Sequence, residues 1–214
     1  YLKARYDAEG TGAKYTAVHV GRSVAFAEAF LAPRGFRPAE VRAVQNMINC
    51  TGISTDLQAI EFQSEQERTL GYALATSDLL GQMAAPDYIE KLPVLYQEFA
   101  EAARHAPAGS AHLFAYKSAG ELMRNTPVFW EKYVRPKIDG DFRGLYTFLG
   151  HPHPDGPNDY LLRIEANIAR LRQRGEMPSM PVNPNSPIET NAIHLDHHPH
   201  GEQHVTLPAH LGMH

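Results

Sequence analysis

Apolar side chains recur at helical spacing along most of the chain, and the alternation expected of strands is scarce. Val20, Val24, Phe26, Ala27, Phe30 and Leu31 predict a helix over residues 16–32. Pro33, Gly35 and Pro38 end it and start the next. That second helix covers residues 39–50, with Val41, Val44, Met47 and Ile48 on one face and Gly52 as its stop. Residues 53–63 read as a loop or short extended link. Ser64 with Glu67 reads as a capping box opening a third helix that runs to Met83. A fourth follows Pro86 and covers residues 87–105, with Pro93 inside it. Residues 113–133 read as helical with a break at Pro127, and residues 160–173 as a last amphipathic helix. Residues 1–15 read as an irregular lead-in.

After Gly175 the pattern stops. Residues 176–214 carry six prolines and seven histidines, too few apolar side chains for a core of their own and no regular period. The expected organisation is therefore an all-α bundle over residues 1–175 and an extended Pro/His-rich arm over 176–214. Such an arm gains order from contacts, so a protein partner or a second copy of the chain is expected to bind through it.

Composition narrows the function little. The chain has 214 residues, a net charge of −4 and 43% hydrophobic residues, which suits a soluble globular protein without a basic field for nucleic acid. No apolar run approaches the ~20 residues that span a bilayer. Cys50 is the single cysteine, so no disulfide forms within the chain, and a cytoplasmic location is the expectation. Phosphate-binding glycine loops, serine-nucleophile elbows and C-x-x-C pairs are absent from the sequence.

The chemistry-bearing positions are His19 and Arg22 on the first helix, Cys50-Thr51 at the end of the second, and Asp78 among Leu79, Leu80 and Met83 on the third. An aspartate on an apolar helical face needs a partner to be buried. This order and spacing resembles the HD superfamily of metal-dependent phosphohydrolases, which uses a histidine with Arg-Val, a His-Asp dyad and a later helical aspartate. His19 with Arg22 matches the first part and Asp78 the last. Cys50 and Thr51 stand where the dyad would be. The resemblance implies an HD-like bundle with an altered, degenerate metal site and a non-catalytic binding role; a working phosphohydrolase for a phosphomonoester or nucleotide is one alternative, and an accessory subunit docking through its C-terminal arm is another.

Under that resemblance His19, Cys50 and Asp78 form a three-ligand set for a single divalent metal (Zn, Mn, Fe or Mg), and Arg22 with Gln82 contacts phosphate or another ligand. The competing structural reading makes Cys50 a small buried hydrophobe, Thr51 a cap, and His19 and Asp78 partners of each other or of Arg22. In the arm, His194, His197, His198 and His200 are dense enough to hold a metal, although Pro199 prevents helical i, i+4 pairing. Aromatic residues 114–148, among them Trp130, Phe142 and Tyr146, interleave with Lys132, Arg135, Lys137 and Arg143. They read either as a pocket or as a second half of the core with a basic rim.

Overall fold

The computed structural model describes residues 9–106 and 116–176. Six α-helices make up the bundle, and no strand occurs among the described residues. They are α1 (His19–Leu31), α2 (Pro38–Asn49), α3 (Glu65–Met83), α4 (Tyr88–His105), α5 (Ala119–Phe129) and α6 (Asp159–Glu176). The expected all-α class therefore holds. The Pro/His arm, with His194, His197, His198 and His200, lies outside the described residues.

The lead-in is more regular than its composition implies. A 3₁₀ helix spans Gly12–Val18, and the Thr11 hydroxyl accepts the Ala13 N–H at its start. What holds it is remote. The Glu101 carboxylate on α4 accepts the Thr11 N–H (2.6 Å), the Thr11 hydroxyl (2.9 Å) and the Lys14 N–H (3.2 Å). Burial pushes this carboxyl up, but the bonds from Thr11 and Lys14 outweigh it and leave its pKa below the ordinary value.

α1 lies against α2 and the 3₁₀ helix. Val20, Val24, Ala27 and Leu31, spaced i, i+4, i+7 and i+11, form its covered stripe. Phe26 and Phe30, which the pattern alone assigns to that stripe, lie outside it. Phe26 is 64% exposed and stacks on Phe30 at 5.5 Å, and the Arg34 guanidinium covers Phe30 at 3.5 Å.

α3 is the axis of the bundle, with Tyr72, Ala75, Leu80 and Met83 in the core. Its start departs from a reciprocal capping box. Ser64 accepts the Glu67 N–H as expected (3.1 Å), but the Glu67 carboxylate accepts from Gln63 N–H (3.0 Å), one residue before the cap. At its other end, the buried Asn167 amide on α6 donates to Met83 O (3.0 Å) and Ala85 O (3.2 Å). Ala85 O also accepts the Tyr88 N–H (3.1 Å) at the start of α4, so one side chain joins the end of α3 to the turn before α4 and seats α6.

The break expected at Pro127 is instead a change of helix type. The chain continues from α5 through π-helical turns at Trp130–Val134 and Lys137–Asp141, each following a proline that lacks a donor. Trp130, Val134, Ile138 and Phe142 are all buried at intervals of four. In an α-helix each such step rotates the side chain by about 40°, so Phe142 would leave the core after three steps. The wider turns cancel that drift. Trp130 and Phe142 of the aromatic segment are thus core, as the second of its two readings has it, while Phe148 is 65% exposed.

Candidate functional site

Structure places the expected ligands apart. Cys50 ends α2 and is buried, its thiol donating to Asn46 O at 3.3 Å. It faces α3 at Gly71, where an added β-carbon would lie 2.7 Å from Sγ. Asp78 lies seven residues further along α3, about 10.5 Å of helical rise away. Its carboxylate is exposed and accepts from Gln82 Nε2 at 3.0 Å, one turn further on. The expected burial of Asp78 fails because its face of α3 points to solvent, and its neighbours Leu79 and Leu80 face inward instead.

His19 Nδ1 lies 2.5 Å from Thr16 O at the start of α1, and the Arg22 guanidinium sits 3.6 Å over the Tyr15 ring. Among the described residues no three His, Cys, Asp or Glu side chains are close enough to hold one metal ion. The three-ligand set of His19, Cys50 and Asp78 is therefore not assembled. Gln82 serves Asp78, and Arg22 serves an aromatic ring. Thr51 does cap its turn, its hydroxyl donating to Ile48 O at 2.7 Å.

The Cys50 thiol is far from a thiolate. Desolvation pushes its pKa up to about 11, and the charge of Glu67 adds to that rise. A protonated thiol is a poor nucleophile at neutral pH.

The residues that do converge lie around the connection between α2 and α3. Glu67, a buried carboxylate, accepts the Asn46 amide at 2.7 Å, and the same amide donates to Glu61 O at 3.0 Å. One asparagine thus ties α2, the connection and α3 together. From the other side, Tyr133 donates its hydroxyl to Ile53 O at 2.6 Å. Held in this way, the connection is flanked by two cavities that share Ile60. One, of about 510 Å³, is lined by Arg42, Asn46, Asn49 and residues 59–63. The other, of about 340 Å³, lies between Leu57, Gln58, Ile60 and the start of the turn after the second π segment.

Arg68 and Arg143 line the second cavity with Tyr72, Gly140 and Asp141. Both guanidiniums meet one carboxylate: Glu65 accepts from Arg143 and, at 3.3 Å, from Arg68. Sequence pattern gives Glu67 only as part of a helix cap and singles out neither Asn46, whose partners Glu61 and Glu67 stand 15 and 21 residues away, nor Arg68. For Arg143 the signal present was its place on the basic rim.

A family model described as Npun_R2479-like matches residues 3–149. Neither a search of curated proteins nor one of solved structures finds a match.

Proposed function

The chain belongs to the Npun_R2479-like family, and we propose that it is a non-catalytic binding domain whose ligand or partner occupies the polar clefts beside residues 57–63. The observation that carries this reading is the separation of reactive groups from concave surface. The only thiol is buried and protonated, and Asp78 is engaged with Gln82 on an open helical face. The clefts, by contrast, are lined mainly by arginine, asparagine and glutamine side chains beside a buried network, with one acid in each, Glu61 and Asp141. Amide and guanidinium groups of this kind suit recognition and orientation of a ligand.

In this reading the resemblance to HD phosphohydrolases is one of helical order without its chemistry. Residues 176–214 supply the link to an assembly, docking on a protein partner or a second copy. Light scattering on the full chain and on a chain ending at Gly175, at pH 5.5 and 7.5, tests the arm. Loss of the larger species on truncation is expected, and identical masses throughout contradict it.

Activity is tested with the full chain, p-nitrophenyl phosphate and nucleoside monophosphates, each with Mg, Mn, Fe or Zn added. No turnover above the metal-only rate is expected. Turnover that is lost in both His19→Ala and Asp78→Ala would replace this reading with a single-metal phosphohydrolase.

A further inference from the structure

We infer that the cavity between Arg68 and Arg143 is a binding site for a small oxyanion, a phosphate ester or a carboxylate, and that Glu65 holds its place in the unliganded chain. The inference rests on the binding-domain reading above and names the chemistry of one of its two clefts.

Three observations converge. First, two guanidiniums from distant parts of the chain line one cavity of about 340 Å³, a volume suited to a metabolite-sized molecule. Arg68 stands on α3; Arg143 comes from the turn that closes the second π segment. Second, each guanidinium lies by an aromatic ring, Arg68 at 5.4 Å from Phe62 and Arg143 at 5.6 Å from Tyr72. At these distances the ring faces attract the cations and favour their placement at the cavity, where their N–H groups can meet an oxyanion. Third, those N–H groups already converge on a carboxylate. Glu65 accepts from both arginines, so the geometry for two-point oxyanion recognition is present.

Glu65 itself is easily displaced. Its side chain is 61% exposed, and an exposed ion pair contributes little. An incoming anion takes over the two guanidiniums from Glu65 and meets Tyr72 and Gln58, which also line the cavity. Asp141, the acid that lines the cavity, is paired with Lys137 at 3.5 Å, which offsets its repulsion.

Backbone conformation points the same way. Arg143 adopts φ +56°, followed by Gly144 at +66°. The left-handed region is uncommon for a side chain of this kind and more readily taken by Gly or Asn. An arginine there costs stability, and it places the guanidinium over Tyr72 and beside Glu65.

The test is a titration of the full-length ¹⁵N-labelled chain with inorganic phosphate, malonate and sodium perchlorate, each at constant ionic strength. Amide shifts that saturate and cluster at residues 57–60, 68–72 and 140–144 are expected for phosphate, for malonate, or for both. Phosphate alone identifies a phosphate ester as the natural ligand class, and malonate alone a carboxylate. Arg143→Asn, which suits the left-handed backbone, and Arg68→Gln should each weaken binding at least about tenfold. Glu65→Gln, which removes the resident carboxylate, should tighten it about threefold or more. That opposite sign separates a built site from general surface charge. Shifts scattered over surface cations, equal response to perchlorate, or a Glu65→Gln variant that binds more weakly would overturn the inference. These outcomes leave the binding-domain reading standing, because that reading is tested separately, by the phosphatase assay and by light scattering.

Discussion

Cys50 and Gly71 occupy one space: a β-carbon added at 71 would sit 2.7 Å from the Cys50 sulfur and 3.4 Å from Met47 Cα. The thiol on α2 is the side chain that Gly71 on α3 lacks. The contact packs the end of α2 against α3 and takes up the Cys50 side chain.

Gly71→Ala should destabilise the chain by about 1–3 kcal/mol through overpacking, despite the roughly 1 kcal/mol by which alanine favours a helix. Cys50→Ala in the same chain should recover at least about 1 kcal/mol of that loss, because it empties the contested space. Urea unfolding of both single variants and the double variant measures the coupling. Strict additivity would show that the two residues do not compete.

A buried thiol with its pKa at about 11 should be almost inert. At pH 8 its alkylation by iodoacetamide should run at least about 100-fold slower in the native chain than in 8 M urea, given the shift and the burial together. Equal rates in the two states would place the thiol at the surface.

Asp78→Asn should change stability by no more than about 0.5 kcal/mol, the usual range for an exposed position. The Gln82 amide can still donate to the new side chain. A loss above about 1.5 kcal/mol in urea unfolding would mean that Asp78 has a partner more demanding than Gln82, as a buried ligand would.

Glu101 makes the amino-terminal 3₁₀ helix sensitive to acid. Its folded pKa lies below its ordinary value of 4.5, so its stabilising effect is full above that value and is lost as pH falls through the lower, folded pKa. Amide exchange of residues 11–18, followed from pH 6 to pH 3, should therefore accelerate beyond the intrinsic rate only below about pH 4.5. Glu101→Gln should show fast exchange in this segment at every pH, while α3 stays protected. Unchanged protection in the variant would assign the order of the segment to α1.

Much of the bundle is legible without coordinates. Helical spacing places α1 to α4 and α6 within a few residues of their ends, since amphipathic periods, prolines and caps are local properties. Cys50 as a small buried residue and Thr51 as a cap follow from residue type and position in the same local way. The side on which α1 is covered is a different matter: Val20, Val24, Ala27 and Leu31 are covered, and Phe26 and Phe30 are not, although both sets have helical spacing. Which stripe wins depends on where α2 lies.

Packing alone decided three further things. The spacing of four from Trp130 to Phe142 drifts off any α-helical face, so only the π turns after Pro127 and Pro136 bring all four side chains into the core. Asp78 stands among apolar neighbours in sequence, yet a helix turns about 100° per residue, and adjacent positions face different surroundings. And the pairs that shape the clefts, Asn46 with Glu67 and Arg143 with Glu65, are 21 and 78 residues apart. Local pattern reports the free energy of a segment against water, whereas these contacts exist only after the segments are brought together.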